Sequence, residues 1–434
     1  MSSYRAFSFL LACLNLAGLF LIGCADGGAG EVDETTRFPY VFTPETDLDD
    51  YEKTRWETET WDSTDPETGL YVLKAVNHRK GAPEEVLQHF EKMRADIPPL
   101  PQSLPQSKDK TVRVSFAGDI MLVDNNWSEY AKPVASLLDG DLRVGNLETP
   151  VSKDHSTEKY ALGIYSFNAP QEMLDNTPFD LLQLNNNHSL DADDLGLENT
   201  VAAVAAVGKK QTGVDTQTMV DVGEMKIAFL AYTWGINDQR RSKNGHELHI
   251  IPFGHLDEEI DLQLLEKDAA DARKAGADAV VVLLHWGFEY EWYPDPHFMV
   301  IARRIVSAGA DLVVGQGPHV VQPAEICQVN PTQRDPGIGR CSLQSIDGKK
   351  RQAAILYSLG NFGTTQPNIA AQVGLVATVA FDAEQGIVGL GYSAVAAVKE
   401  DDTRWLRPLD SLTAEESYAA EAIRLADHLG AWKR

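Results

Sequence analysis

A series of short apolar runs, beginning at residue 111, constrains the fold of this chain more than any other feature. Each run is rich in β-branched and aliphatic residues and stops at glycine or a polar side chain: VRVSFAGD, LRVGNLE, FDLLQLNNNH, KIAFLAYTWG, ADAVVVLLHWG, ADLVVGQGPH and AAILYSLGNF. Amphipathic segments separate several of them, namely GLENTVAAVAAVG, LLEKDAADARKAG and HFMVIARRIVSAG. This alternation predicts an α/β domain over 111–434 with a largely parallel core. The later runs VGLVATVAFD and VGLGYSAVAAVKE have no helix between them and predict an antiparallel pair.

The N-terminus carries the pattern of a targeting segment. Arg5 precedes an apolar stretch over residues 7–22, which ends in Leu-Ile-Gly-Cys at Cys24. This resembles a bacterial lipobox, so we expect a signal peptide over 1–23 and acylation of Cys24. An uncleaved anchor or an ordinary secretory signal are the alternatives. The expected location is the bacterial cell envelope, with the lipid in the outer membrane or on the periplasmic face.

Two further segments precede the domain. Residues 24–60 are acidic and poor in aliphatic residues, which predicts a flexible tether. Residues 61–107 form an N-terminal extension, in which GAPEEVLQHFEKMRADIPPLP predicts one short helix that starts near Pro83 and stops at Pro98. His78 and His89 lie in this extension, and we expect both to be solvated.

Charge and cysteine content narrow the choice of partners. The net charge of −26 argues against nucleic acid or anionic lipid as the main partner. It also means that a polyanionic substrate would need a metal ion or a local basic patch. Besides Cys24, the predicted mature chain holds Cys327 and Cys341, which most simply form a disulfide in an oxidising compartment. Metal ligation is the weaker alternative, because neither cysteine has a CxxC-type neighbour.

The ends of the apolar runs carry side chains that bind metals. In open α/β sheets, ligands bind outside the carboxyl ends of the strands. Carboxylate, imidazole and amide groups together suit one or two ions of Mn, Fe, Zn or Mg. Any one of these residues alone fits ordinary turn chemistry, and only their recurrence at successive strand ends favours a site. The candidates are Asp119, Asn146, Glu148, Asn187, His188, His285, His319 and Asn361.

The motifs that contain these residues resemble a known family. FAGDIML, GNLETPVS, NNNHSLDADDLGLENT, LLHWGFEY, GQGPHVVQP and YSLGNF are similar to the motif series of bacterial capsule-synthesis proteins of CapA type. The resemblance covers about residues 112–363 and implies the calcineurin-like metallophosphoesterase fold, with layered mixed sheets flanked by helices. It also implies a role in making poly-γ-glutamate or a related anionic surface polymer, together with capsule synthesis and export proteins.

The same resemblance implies a role for each site residue. His188 would protonate a leaving oxygen as general acid, and Asp191 would either orient His188 or cap the next helix. Of these we favour the cap, because short acidic residues are common at helix starts. Asn146 and Asn361 would be further residues of the site. The implied metal ligands are Asp119, Glu148 as the bridge between two ions, Asn187, His285 and His319.

Two departures from the superfamily pattern concern these ligands. Metallophosphoesterases usually carry a histidine two residues after the first aspartate, where this chain has Met121. They carry another two or three residues before the last histidine, where this chain has Gly317 and Gln316. Gln316 still offers an amide oxygen as a ligand, although it binds transition metals less well than imidazole does. We therefore expect a weaker, harder or single-metal site.

Three functions follow from these patterns. The first is a lipid-tethered, metal-dependent hydrolase or transferase that acts on a surface polymer. The second is a non-catalytic component that binds polymer or scaffolds a capsule synthesis and export complex. The third is a nucleotidase or another small-phosphate hydrolase, although the sequence contains no P-loop.

Overall fold

The computed structural model describes residues 81–94, 97–100, 111–123, 126–158, 161–162, 166–237, 247–253, 260–332, 341–345 and 347–430. The predicted signal peptide, Cys24, the tether, His78 and the first part of the extension lie outside these residues. Among the helices that are described, none has both the length and the apolar character needed to cross a bilayer.

The described chain forms a mixed sheet flanked by helices. Its helices are Glu84–Arg94 (α1), Gln171–Asn176 (α2), Asp193–Ala206 (α3), Gln263–Lys274 (α4), Pro296–Ala308 (α5), Ile369–Gln372 (α6) and Glu416–Leu429 (α7), with 3-10 helices at Lys132–Leu137 and Leu409–Leu412. Its strands are Thr111–Ile120 (β1), Leu142–Leu147 (β2), Leu181–Gln183 (β3), Lys210–Thr212 (β4), Thr218–Val222 (β5), Met225–Thr233 (β6), Ala279–His285 (β7), Leu312–Gln316 (β8), Ala324–Asn330 (β9), Cys341–Gln344 (β10), Arg351–Leu356 (β11), Asn361–Gly363 (β12), Val373–Asp382 (β13), Gly386–Glu400 (β14) and Thr403–Pro408 (β15).

The strand order divides the sheet into two parallel blocks. Strands run in the order β4-β3-β2-β1-β13-β14-β11-β8-β7-β6-β5. Strands β1 to β4 are parallel, and so are β6, β7, β8 and β11. The antiparallel strands β13 and β14 join the blocks, with β13 against β1. The predicted parallel core and antiparallel pair are therefore confirmed.

Burial explains why the runs are so apolar. Every residue of β7 is buried, as is every residue of β8 and β13, because the strands are covered on both faces. Alternation sends successive side chains to different cores. In β1, Val114 and Phe116 join the main core with β6 to β8 and β11, whereas Ala117 faces a second core beneath α2 and α3. Ile120 also joins this second core, after a register shift between Asp119 and Ile120.

The helices begin and end where local chemistry predicts. Before α5, the Asp295 carboxylate accepts a 2.8 Å hydrogen bond from His297 N–H, and Pro296 occupies the first turn. Gly309 ends the helix with φ of 142°, a backbone angle that side chains disfavour. These signals set where α5 begins and ends.

Helix α1 of the N-terminal extension packs into the main core. It buries Val86, Phe90 and Met93 there. The predicted helix is confirmed, but the expectation that His89 is solvated is wrong. His89 is fully buried and its Nε2 contacts Glu325 Oε1, because the apolar face of α1 carries this histidine into the protein.

The predicted disulfide is confirmed. Cys327 on β9 and Cys341 on β10 are bonded and pair directly in the register of these two parallel strands. The bond joins the strands across a sequence separation of 14 residues.

Candidate metal centre

Polar side chains from both parallel blocks meet at the carboxyl ends of the strands. Asp119 is the next-to-last residue of β1, His285 is the last residue of β7, and His319 follows β8. Glu148 lies one residue after β2. Ligand atoms of Asp119, Glu148 and His319 all lie within 4.8 Å of one another, and each of these side chains is buried. We call Asp119, Glu148, His285 and His319 the edge cluster.

Asp119 is held on both carboxylate oxygens. Its Oδ1 accepts a 2.8 Å hydrogen bond from Asn146 Nδ2, and its Oδ2 accepts one of 3.0 Å from Gly317 N–H. His319 Nδ1 lies 3.2 Å from Oδ2. His285 Nδ1 lies 3.9 Å from Oδ1. The carboxylate is thus fixed between the two blocks of the sheet.

Glu148 lies among three imidazoles. Its Oε1 is 3.4 Å from His285 Nε2 and 3.8 Å from His188 Nε2, while its Oε2 is 3.8 Å from His319 Nδ1. Glu148, for which the family resemblance implies a bridging role, therefore lies at the centre of the cluster.

The electrostatics of the cluster follow from two buried acids beside histidines. Burial by itself raises the pKa of Asp119, but its hydrogen bond to His319 and the charges of His319 and His285 bring that pKa below the ordinary value. Burial lowers the pKa of His319, yet Glu148 and Asp119 outweigh burial and raise it to about 9. The two carboxylates therefore favour the protonated form of the His319 imidazole.

His188 is oriented by Asp191. Asp191 Oδ2 lies 2.7 Å from His188 Nδ1 and also accepts a 2.7 Å hydrogen bond from Phe167 N–H. Our preference for Asp191 as a helix cap is wrong, since α3 begins at Asp193 after Ala192 and has no side-chain cap. A turn separates Asp191 from the helix, and Asp193 Oδ1 instead accepts from Leu195 N–H at 2.9 Å.

The asparagine candidates also lie at this edge. Asn146 Oδ1 accepts a 3.1 Å bond from Asn186 Nδ2, and Asn361 Oδ1 lies 3.0 Å from His319 Nδ1. Asn187 is buried and donates through Nδ2 to Asn237 Oδ1 at 3.0 Å. The amide nitrogen of Asn187, a candidate metal ligand, is thus bonded to a neighbouring asparagine.

Gln316 provides a test of whether the site fits a cation. It is 2% exposed, and its Nε2 donates to Ala117 O at 3.2 Å. Its Oε1 is buried and accepts no hydrogen bond within the described residues. A buried acceptor left unpaired costs about 1–3 kcal/mol. Two buried carboxylates, imidazoles and this amide oxygen are a donor set that fits a divalent cation.

The two positions at which the usual metallophosphoesterase histidines are missing, 121 and 317, have different structural surroundings. At Gly317, φ is 107°, and a Cβ would lie 2.8 Å from Trp286 O and 3.2 Å from His285 Nε2. A side chain at 317 would thus strain the backbone and crowd His285. Met121 is partly buried, and its sulfur lies 4.0 Å from Gln366 Nε2.

Three residues near the site were missed by sequence reasoning. Asn186 Oδ1 accepts from His188 N–H at 3.1 Å, and the Phe167 ring packs 4.6 Å from the His188 ring. Glu289 Oε1 lies 3.9 Å from His319 Nε2. Asn186 and Glu289 stand inside motifs already noted, NNNH and HWGFEY, whereas nothing in the sequence links Phe167 to the site.

Comparison with known proteins gives a family match and several relatives. The sequence model of bacterial capsule synthesis protein PGA_cap matches residues 113–366. The chain is 28% identical over 277 residues to capsule biosynthesis protein CapA of Bacillus anthracis, covering 59% of this chain and 60% of the relative. It is 26% identical over 276 residues to PGA biosynthesis protein CapA of Bacillus subtilis, covering 58% and 63%.

A third relative comes from another genus. It is named "Probable polyglutamine synthesis accessory protein" in Mycobacterium tuberculosis and is 29% identical over 163 residues, covering 34% of this chain and 41% of the relative. The match with the two Bacillus relatives spans about three fifths of their length.

Proposed function

Because this chain belongs to the bacterial capsule synthesis protein family PGA_cap, we propose that it is a metal-dependent hydrolase or transferase of capsule polymer production. The family lies in the metallophosphoesterase-like superfamily. The proposed substrate is an anionic surface polymer, poly-γ-glutamate or a related chain, and the proposed partners are capsule synthesis and export proteins. The names of the relatives support the polymer context.

The edge cluster is the observation that carries the proposal. Asp119, Glu148 and His319 place ligand atoms within 4.8 Å of one another in a buried position. Buried carboxylates are costly unless a cation or hydrogen bonds compensate them. A divalent ion of Mn, Fe, Zn or Mg would be held by Asp119, Glu148, His319 and His285, with Asn187 and Gln316 as further candidates. Such an ion supplies Lewis-acid activation of water and of a substrate oxygen.

The remaining chemistry belongs to the residues beside the cluster. Asp191 accepts the Nδ1 proton of His188, which leaves Nε2 directed toward Glu148 at 3.8 Å. In its imidazolium form, which carries a proton on each ring nitrogen, His188 can donate the Nε2 proton to a leaving oxygen as general acid and then remains as the neutral imidazole with its Nδ1 proton hydrogen-bonded to Asp191. The Phe167 ring packs against His188 and Asn186 accepts from its backbone, so both hold the imidazole in this orientation.

The proposal includes attachment to the cell envelope. It is supported by the apolar stretch over residues 7–22 and by Cys24 after Leu-Ile-Gly. A lipid anchor there would hold the domain where surface polymer is made or exported. The acidic residues 24–60 would then serve as the tether.

A specific observation favours a second function. Met121 and Gly317 replace two imidazoles of the usual metallophosphoesterase set, and the space at Gly317 leaves little room for a side chain. If the loss of these two imidazoles abolished metal binding, the protein would act without catalysis. It would then bind polymer or scaffold a synthesis and export complex.

Metal binding and turnover on the purified full chain separate the two functions. Titration calorimetry measures Mn²⁺ binding, and release of nitrophenol from bis-p-nitrophenyl phosphate measures turnover. A parallel assay follows the length of poly-γ-glutamate chains on gels. We expect bound Mn²⁺, Mn²⁺-dependent turnover, and a loss in kcat of about 10²- to 10⁴-fold in His188→Ala.

The matched control is His155→Ala. His155 lies in the loop after β2 and contacts Ser152 Oγ and Asp193, not the edge cluster. We expect this variant to keep wild-type turnover. Absence of Mn²⁺ binding under every condition, or turnover that survives in His188→Ala, would favour the scaffold function.

A further inference from the structure

The side chain of Gln316 connects the two parallel blocks of the sheet. Gln316 is the last residue of β8 and pairs in register with His285 on β7. Its amide nitrogen donates to Ala117 O of β1, two residues before Asp119. The next residue, Gly317, donates its backbone N–H to Asp119 Oδ2. Gln316 thus links the strands that carry Asp119 and His285.

The amide oxygen of Gln316 lacks a partner in the described part of the chain. The side chain is 2% exposed, and Oε1 is buried without a hydrogen bond. The hydrogen bond from Nε2 to Ala117 O fixes the orientation of the amide group. Rotating the amide by 180° would break this bond and place Oε1 against another acceptor, Ala117 O. Buried polar atoms are nearly always paired, so this oxygen is placed to accept from a group that the described residues do not supply.

We propose that Gln316 Oε1 is a ligand of the bound cation and biases the site toward Mn²⁺ and Mg²⁺ relative to Zn²⁺. This inference rests on the proposed function, since it concerns the same metal site. Carbonyl and carboxylate oxygens favour Mg²⁺ and Mn²⁺, whereas imidazole favours Zn²⁺. With Asp119 and Glu148, the amide of Gln316 adds a third oxygen beside His319.

The neighbouring backbone supports this assignment. A side chain at position 317 would crowd Trp286 O and the His285 ring and strain the backbone, which disfavours an imidazole ligand from that position. Gln316 is the adjacent residue whose side chain already points between the blocks. An amide oxygen in place of an imidazole nitrogen changes the donor set from softer to harder.

The experiment measures affinity rather than turnover. Isothermal titration of the purified full chain gives the dissociation constants of Mn²⁺, Mg²⁺ and Zn²⁺ for the wild type, Gln316→Leu and Gln316→His. We expect Gln316→Leu to lower Mn²⁺ affinity by about 10- to 100-fold. We expect Gln316→His to raise the ratio of Zn²⁺ to Mn²⁺ affinity by roughly tenfold. The electron paramagnetic resonance spectrum of bound Mn²⁺ should also change in both variants.

Gln322→Leu is the matched control. Gln322 is also buried and also donates through Nε2 to a backbone carbonyl, Glu291 O at 2.9 Å, but its oxygen is not an unpaired buried acceptor. This control should bind all three ions like the wild type. Thermal unfolding without metal shows whether each variant is folded.

The outcomes separate this inference from the proposed function. A folded Gln316→Leu that binds Mn²⁺ as tightly as the wild type overturns the inference alone. The same holds if Gln316→His leaves the Zn²⁺ to Mn²⁺ ratio unchanged. A wild-type chain that binds none of the three ions overturns the inference and the proposed metal chemistry together.

Discussion

Two buried clusters in this protein combine carboxylates with histidines, yet different groups neutralise their negative charge. One is the edge cluster. The other, which we call the anchor cluster, consists of His89 on α1, Arg303 on α5, Glu325 on β9 and Tyr357. Glu325 accepts from Arg303 at 2.9 Å and from Tyr357 Oη at 3.0 Å, and it contacts His89.

The two clusters differ because the anchor cluster contains a permanent cation, the guanidinium of Arg303. Burial raises the pKa of Glu325, but Arg303 and then His89 outweigh burial and hold it well below its ordinary value. Within the described residues, the ion-pair partners of Asp119 are histidines instead, and a second carboxylate, Glu148, lies within 4.8 Å. A cluster neutralised by arginine is complete without a ligand, whereas two acids beside titratable imidazoles favour a bound cation.

The largest expected effect comes from breaking the anchor cluster. Arg303→Leu leaves Glu325 buried without its guanidinium partner, and we expect the free energy of unfolding to fall by about 3–5 kcal/mol. Denaturant unfolding of the full chain measures it. Arg407→Leu is the control, because its pair with Glu400 is partly exposed, and its loss should stay below about 1 kcal/mol.

A double variant identifies the source of that loss. If an unpaired charge is the cause, Arg303→Met combined with Glu325→Gln should recover much of the stability. A double variant as unstable as Arg303→Leu would mean that packing of the arginine stem, rather than charge, holds the cluster.

A substitution in the edge cluster should affect metal binding more than folding stability. Asp119→Asn removes one of two neighbouring like charges, so we expect a smaller change in the unfolding free energy than for Arg303→Leu. Mn²⁺ affinity should fall by about 100-fold, because a primary ligand is lost. Calorimetry measures the affinity, and Asp382→Asn serves as control, since that carboxylate accepts from Glu384 and Gln385 N–H in a turn. Equal Mn²⁺ affinities in Asp119→Asn and the wild type would contradict the assignment of this ligand.

The dependence of folding stability on acidic pH tests the role of Glu325 in the anchor cluster. Its pKa in the folded chain lies below the ordinary 4.5, so its stabilising contribution is complete above that pH. As pH falls below about 4.5, the unfolded chain binds the extra proton first, and stability declines by up to about 1.4 kcal/mol per pH unit. Unfolding measured against pH should show a smaller decline for Glu325→Gln. Parallel curves for the two chains would exclude Glu325 as the source.

The smallest expected effect concerns His89. His89→Gln keeps a hydrogen-bond donor near Glu325 and leaves Arg303 in place, so we expect a loss of about 0.5–1.5 kcal/mol. Denaturant unfolding measures it. A loss as large as that of Arg303→Leu would show that the histidine carries the compensating charge.

Much of this architecture could be predicted from the sequence because strand and helix signals are local. The apolar runs, the antiparallel pair β13 and β14, and helix α1 depend on periodicity and on Pro or Gly boundaries over a few residues. The candidate site could be predicted for the same reason, since carboxyl ends of parallel strands lie on one edge. The burial of His89 could not, because its partners Glu325 and Arg303 are more than 200 residues away.

By itself, the sequence determined which residues end each strand, and so which donors stand at the edge of the sheet. Only the tertiary structure decided how each donor is used. It turned Asp191 toward His188 rather than toward a helix terminus, left little room for a side chain at position 317, and buried the Gln316 oxygen without a partner among the described residues. Strand formation depends on neighbours in the chain, whereas hydrogen bonding, charge compensation and available space depend on segments that meet only when the two blocks fold together.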